Sequence, residues 1–289
     1  DKVIFLGDMY CISTWIASLI LRFRRKKIIF WGHGFYGNEN FLKKKVRKTF
    51  FKLADFHLVY NKRAKKMMIK QNFNEEKIFV IYNSLNYKKH LDFRKKRNKT
   101  DRLNVLSCFE NPYLPLLIYI GRITKAKKLE ILIKAINNKI LKNKINLIIL
   151  GSGSEILNLK KQVKNFNLDS YVSFYGPCYD EDVIAKFFSF SDLCVSPGSI
   201  GLTAIHSLSY GVPVCSHDDF SIQMPEFESI IDSGSGFFFL KDNFNDLAKK
   251  INVWLNKEKI KVKANSYQVI DEFYNPYYQI EIFKRVLKL

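Results

Sequence analysis

Residues 116–136 read LLIYIGRITKAKKLEILIKAI. An apolar run ends in a glycine, a basic cluster follows, and apolar side chains then recur at helical spacing. A run that is apolar on both faces belongs inside a parallel sheet covered by helices on both sides. Runs of the same kind fall at 3–6, 27–31, 56–60, 78–82, 145–150, 172–175, 193–196 and 213–216, with helical patterns between most of them. The alternation predicts an α/β fold of open, doubly wound parallel sheets.

With 289 residues and 47% hydrophobic side chains, the chain has material for two such domains and is too apolar for a disordered one. From 87 to 114 the sequence is charged, lacks a clean period and ends with Pro112 and Pro115, which reads as the connection between domains. The expected division is an acceptor-side Rossmann-like domain and linker over 1–100, a second Rossmann-like domain over 101–275 and a C-terminal helix over 276–289. The chain opens on Asp1 and runs directly into a strand, so the start of the natural protein is expected to be missing. Five scattered cysteines without a CxxC argue against a zinc ribbon or a disulfide scaffold and fit a reducing compartment. The uncharged run over 11–21 is shorter than the ~20 residues a bilayer crossing needs, and its positive charges follow it, unlike those of a secretory signal.

The net charge of +21 is unevenly placed. Residues 1–100 hold 25 Lys and Arg against 7 Asp and Glu, so +18 resides there and +3 in the rest. The asymmetry implies a polyanion near the first half: nucleic acid, anionic lipid or a phosphorylated substrate. A lysine-rich composition by itself explains the lysines but not where the acids sit. In FLKKKVRKTFFKL (41–53), Leu42, Val46, Phe50 and Leu53 share one face, expected to pack on the core. The opposite face carries Lys44, Lys45, Arg47, Lys48 and Lys52 with Phe41 and Phe51. Such a face suits either solvent or an anionic membrane, to which each lysine contributes ~1 kcal/mol.

Four stretches can carry chemistry. In Gly121–Lys128, a strand end opens toward a helix, and Arg122 and Lys127 can converge on one diphosphate. In SPGSIGLTAIHSLSYGVPV (196–214), a glycine-bearing loop with Ser199 leads into a helix expected from Gly201 to Gly211. The N–H groups of Leu202 and Thr203 at its start suit an anion. His206 in its second turn either faces the same crevice or is an ordinary core histidine. In WGHGFYG (31–37), glycines flank His33 and allow a close backbone approach. In GSGSE (151–155), Gly151 either meets a nucleotide or forms a tight turn, and the turn is the simpler reading.

Taken in order, IYIGRITKAKKLEILIKAI, LIILGSGSE, VSFYGP (with Gly176), SDLCVSPGSIGLTAIHSLSYGVPV and DSGSGFFF resemble the donor domain of retaining glycosyltransferases of family 4, within the glycosyl transferases group 1, which have the GT-B fold of two Rossmann-like domains facing a cleft. The likeness covers most of 115–240. WGHG and IYNSL in the first hundred residues resemble that family's acceptor domain more loosely. The resemblance implies that Arg122 and Lys127 bind the diphosphate of a sugar nucleotide, and that Gly121, Gly151, Gly176, Ser199, Gly201, Leu202 and Thr203 line the donor site. His33 matches the family's histidine near the reacting centre, and Glu226 in QMPEFE resembles the acid that follows the donor loop. The family's two glutamates, with seven residues between them, correspond here to Gly198 and His206. A histidine can still hydrogen-bond ribose hydroxyls, but a glycine cannot contact the donor sugar. Some bacterial surface-polysaccharide transferases look similar to this GLTAIHSL version.

The resemblance thus implies a hexosyltransferase that moves a sugar from a nucleotide-diphosphate donor, with retention, to a glycan or lipid-diphosphate-linked acceptor. No cofactor is expected and, without a DxD loop, no dependence on a divalent metal. The expected location is cytoplasmic and peripheral on the inner face of the plasma membrane, with an anionic membrane surface as partner. The alternatives are a non-catalytic GT-B-like scaffold or a basic nucleic-acid-binding protein. Nucleic acid is the less expected partner, since no RNP, zinc-finger or helix-turn-helix pattern is present.

Overall fold

The structure, a computed structural model, describes residues 1–37, 39–95, 101–256 and 262–288. The elements begin β1 (Lys2–Leu6), α1 (Ile12–Phe23), β2 (Lys27–Gly32), α2 (Phe41–Phe51), β3 (Phe56–Val59), α3 (Lys62–Ile69) and β4 (Ile78–Val80). Two short helices follow, α4 (Tyr87–Lys95) and α5 (Arg102–Val105). Then come β5 (Leu116–Ile120), α6 (Leu129–Asn137), β6 (Asn146–Leu150), α7 (Ile156–Asn165), β7 (Val172–Gly176) and α8 (Glu181–Phe190). The chain continues through β8 (Leu193–Ser196), α9 (Thr203–Ser209), β9 (Val214–His217), α10 (Phe227–Ser233) and β10 (Gly236–Phe239). It ends with α11 (Phe244–Leu255), α12 (Val262–Glu272) and α13 (Pro276–Lys288).

Two compact units form, one from Asp1–Ser84 with Glu272–Leu289 and one from Leu85–Asp271. The division differs from the expected one at both joints. The segment read as a featureless connection contains α4 and α5, and α4 is anchored in the second unit. His90 on α4 is buried, and Arg94 bonds the Ser209 carbonyl at 3.0 Å and the Asp271 carboxylate at 2.7 Å. At the other end, Ile282 and Val286 of α13 pack with Ile29, Leu58 and Ile81 in the core of the first unit.

In the first unit, β1–β4 lie side by side in sequence order, all parallel. Among the described residues this sheet has no reversal of strand order. The second sheet runs β10-β9-β8-β5-β6-β7, all parallel. Its core is aliphatic, with Leu147 and Ile149 of β6 against Leu132, Ile133 and Ile136 of α6. Such strands are buried on both faces because a helix closes each crossover. Among the described residues no helix is long and apolar enough to cross a membrane.

Helix α2 sits differently from its expected orientation. Phe50, Phe51 and Arg47 point inward, whereas Leu42 and Val46 lie in solvent. The turn follows from Arg47. Its guanidinium is paired with the buried Glu39 carboxylate, donates to the Gly34 carbonyl at 3.3 Å and lies over the Tyr36 ring. One cation thus braces the loop that carries His33. Arg47→Ala leaves the Glu39 carboxylate buried without its cation and should cost about 3–5 kcal/mol. Urea unfolding of the chain checks this, and a loss under about 1 kcal/mol would put that guanidinium in water instead.

His57 is buried among Phe30, Phe51 and Phe73, and burial lowers its pKa to about 3. The unfolded imidazole takes up a proton from pH 6.5 downward while the folded one does not until about pH 3. Stability is therefore full above that window and falls with pH inside it, by up to about 1.4 kcal/mol per pH unit. His57→Phe should flatten this acid limb in unfolding curves taken at successive pH values. An unchanged slope would show that His57 is protonated in the fold.

Candidate active site

The strand order of the second sheet reverses at β5, which lies between β6 and β8. The connections after β5 and β8 leave in opposite directions, and this opens a crevice at the carboxyl ends of the strands. The loop after β5 starts at Gly121, whose φ of +148° favours glycine. The Tyr119 hydroxyl donates to the Arg122 carbonyl at 2.7 Å and steadies the turn, and burial pushes its phenol up.

The loop after β8 docks directly on this one. The Gly198 N–H donates to the Lys127 carbonyl at 3.0 Å, and a Cβ at 198 would lie 2.4 Å from the Ala126 carbonyl oxygen. Glycine is therefore required by the approach of two backbones. The Lys127 ammonium donates to the Ser199 carbonyl at 2.7 Å, and the Thr203 hydroxyl to the Ile120 carbonyl at 3.2 Å. Buried Gln223 pins the far side. Its side-chain oxygen accepts from the Ile200 N–H at 2.7 Å, and its NH2 donates to Ser216 and to the His217 carbonyl. Glu226 is buried, and its Oε2 lies 3.9 Å from where a Cβ on Gly201 would stand. Gly121, Arg122, Lys127, Ser199, Gly201 and Thr203 thus lie on two loops that meet at the carboxyl ends of β5 and β8.

Burial lowers the Lys127 pKa, and the Arg122 guanidinium adds to the effect. Among the described residues neither cation has a carboxylate partner. Helix α9 has only 7 residues, with Leu202 as its cap, so its dipole adds little and these two side chains dominate the charge. Beside them a cavity of about 230 Å³ is lined by Gly121, Arg122, Gly151, Ser152 and residues 177–179. Gly151 has a second reason to be glycine, since a Cβ there would meet the Gly121 carbonyl oxygen at 1.9 Å. Gly176 accepts from the Gly151 N–H at 2.8 Å and ends β7 at a φ of +95°.

His206 is engaged within the protein. Its Nε2 lies 2.7 Å from Oε1 of Glu181, which also takes the Tyr210 hydroxyl and faces His90. Burial by itself would raise the Glu181 pKa, but hydrogen bonds from His206, His90 and Tyr210 hold it well below the usual carboxylate range. Sequence reasoning missed Glu181, His90, Tyr210 and Gln223. Glu181 reads as an ordinary acid in the first turn of α8, and nothing local links residues 90, 181 and 206.

His33 belongs to the first unit, whereas the other candidates belong to the second. It follows β2, rests 5.0 Å from the Tyr60 ring and 5.9 Å from that of Tyr36, and its Nδ1 is buried without a partner. Burial and then Arg47 lower its pKa, so the imidazole is neutral at neutral pH.

Comparison with known proteins bears on the same residues. The pattern described as "Glycosyl transferases group 1" matches residues 109–269, more than half of the chain. An uncharacterized glycosyltransferase of Methanocaldococcus jannaschii, MJ1069, is 27% identical over 287 residues, covering 93% of this chain and 69% of its own. A glycogen synthase of Caldicellulosiruptor bescii is 31% identical over 143 residues, covering 47% of this chain and 28% of its own. Among solved structures, Anabaena Alr3699/HepE in complex with UDP superposes with a TM-score of 0.76 at 17% identity, covering 100% of this chain and 79% of that one. The lipopolysaccharide outer core galactosyltransferase WaaB does so with a TM-score of 0.75 at 18% identity, covering 100% and 76%. These likenesses show the GT-B fold, and the matched pattern shows that the chain belongs to the glycosyl transferases group 1 family.

Proposed function

We propose that this chain is a retaining glycosyltransferase of family 4, of the hexosyltransferase type, that moves a sugar from a nucleotide-diphosphate donor to a glycan or lipid-linked acceptor. Its proposed setting is bacterial surface polysaccharide synthesis at the cytoplasmic face of the plasma membrane. The observation that carries the reading is the pair Arg122 and Lys127 on the loop after β5, with Lys127 held against Ser199 and neither cation neutralised by a carboxylate. A bound diphosphate would restore the proton affinity that burial takes from Lys127.

The reaction breaks the bond between the anomeric carbon and a diphosphate oxygen, and the electron pair leaves with the oxygen. The acceptor hydroxyl bonds to the same face of the sugar and gives up its proton to the departing diphosphate oxygen. Fixed cations in a partly dry crevice stabilise the charge that develops on the leaving group. Arg122 and Lys127 supply that charge in this proposal, so no cofactor is invoked. Gly121, Gly151 and Gly176 border the nucleoside, and Ser199, Gly201, Leu202, Thr203 and Glu226 border the diphosphate and sugar. With Nε2 of His206 turned to Glu181, its Nδ1 is the nitrogen left for a ribose hydroxyl. The neutral imidazole of His33 serves as a hydrogen-bond partner of donor sugar or acceptor.

The ligands of fold neighbours support a nucleotide-sugar donor. HepE is described in complex with UDP and with UDP-glucose, and a pneumococcal O-GlcNAc transferase, GtfA, with UDP and GlcNAc. Gly198, where the family's first glutamate would stand, favours a non-catalytic scaffold as the second reading. Calorimetry and turnover across UDP- and GDP-sugars separate the two, since an enzyme binds and consumes one donor and a scaffold binds none. With the productive donor, Arg122→Ala should lower kcat on the order of 100-fold or more. Unchanged turnover would remove Arg122 from the reaction.

The acceptor side extends the proposal to an anionic membrane. Helix α2 exposes Phe41, Leu42 and Val46 beside Lys43 and Lys45, and α1 exposes Ile12, Ile16, Leu19 and Phe23 ahead of Arg24 and Arg25. Apolar side chains flanked by cations suit a surface of anionic headgroups over acyl chains. Sedimentation with anionic vesicles should be salt-sensitive. Replacing Lys43, Lys44 and Lys45 with Gln should weaken it on the order of 100-fold, at ~1 kcal/mol per lysine. Equal binding to neutral vesicles would count against the idea.

A further inference from the structure

His90 of α4, His206 of α9 and Tyr210, which caps α9, converge on a single atom of α8. Tyr210 Oη lies 2.5 Å, His206 Nε2 2.7 Å and His90 Nε2 3.3 Å from the same oxygen, Oε1 of Glu181. A carboxylate oxygen has about two lone-pair directions, so three hydrogens cannot all be well aimed at it. With both imidazoles protonated on Nδ1 instead, two nitrogen lone pairs would meet this oxygen, a repulsion that only a cation between them removes. One oxygen lone pair would then serve the cation, and Tyr210 keeps the second. The three donor atoms lie within 4.8 Å of one another.

We propose that His90, Glu181 and His206 bind a zinc ion that ties α4 to α8 and α9. Zinc takes imidazole nitrogen and carboxylate oxygen at ~2.0–2.2 Å, which puts tetrahedral donors about 3.3 Å apart. The His90–Glu181 separation is already 3.3 Å, and the His206–Glu181 separation of 2.7 Å needs to open by only about half an ångström. Zinc has no geometric preference of its own from d-electrons, so it tolerates such a triangle. The surroundings suit a metal. Phe188 packs edge-on to His206, Tyr210 lies edge-on to His90, and the Tyr210 hydroxyl fixes the carboxylate. Apolar walls and an outer hydrogen bond of this kind hold metal ligands in place. Glu181 remains partly exposed, which gives an entry path and leaves the fourth position to water.

The proposal stands on this cluster and not on the transferase reading. The zinc would leave Nδ1 of His206, Arg122 and Lys127 untouched. It gives α4, the first helix of the second unit, a fixed point of attachment.

The test strips the chain with a chelator and titrates it with zinc sulfate by calorimetry. One equivalent should bind, and the melting temperature should rise as expected for a ligand of the folded state. His90→Ala and the near-isosteric Glu181→Gln should each weaken binding by more than the roughly 10–100-fold that follows loss of an outer hydrogen-bond partner. Circular dichroism confirms that each variant folds. Cobalt(II) in place of zinc should give the visible absorption of a tetrahedral nitrogen and oxygen site. The proposal is overturned if the intact chain binds no stoichiometric zinc, if both folded variants bind as well as the parent, or if cobalt shows sulfur ligation.

Discussion

The Lys127 ammonium reaches the Ser199 carbonyl at 2.7 Å because the loops after β5 and β8 touch, backbone to backbone, at Gly198. That contact is a steric constraint before it is a chemical one. Strand order reverses at β5, and the two connections would otherwise diverge. Gly198 lets them meet, Gln223 locks the second loop from behind, and Lys127 closes the gap from the front. The cost is a partly buried cation whose partner is a neutral carbonyl. An anion in the crevice would relieve that cost, so the packing that builds the crevice also favours one there.

Much of the fold is legible in the sequence, because strands buried on both faces leave uninterrupted apolar runs. β5 and β8 fall where the runs predict, and most other strands within one or two residues. β10 is legible only within the closing motif DSGSGFFF, since it is four residues long and opens on a glycine. α2 shows the limit of periodicity. Phe50 is shared by the expected and the observed inner faces, and the turn between them depends on Glu39, eight residues away from Arg47 in sequence. A buried ion pair cannot be seen from spacing. The charged stretch after Tyr87 failed for the same reason, since His90 and Arg94 are satisfied by partners more than eighty residues on.

The site was legible where it depends on local backbone. Gly121, Gly151, Arg122, Lys127 and Ser199 follow strand ends, and strand ends can be found by pattern. Its side-chain network was not. Glu181, His90 and His206 come from three helices, and only the assembled unit brings them within hydrogen-bonding distance. His33 shows an intermediate case, because its glycine-rich surroundings are visible but the neighbours that keep it neutral, Tyr60 and Arg47, are not.

Positions 198 and 206, where the resemblance places glutamates, differ in physical kind. At 206 the imidazole is paired with a carboxylate from another helix. At 198 no side chain fits, since any Cβ would overlap the Ala126 carbonyl and Lys127 Cα. A glutamate there would require the β5 loop to retreat and would take Lys127 with it. The glycine and the position of Lys127 are therefore one structural choice.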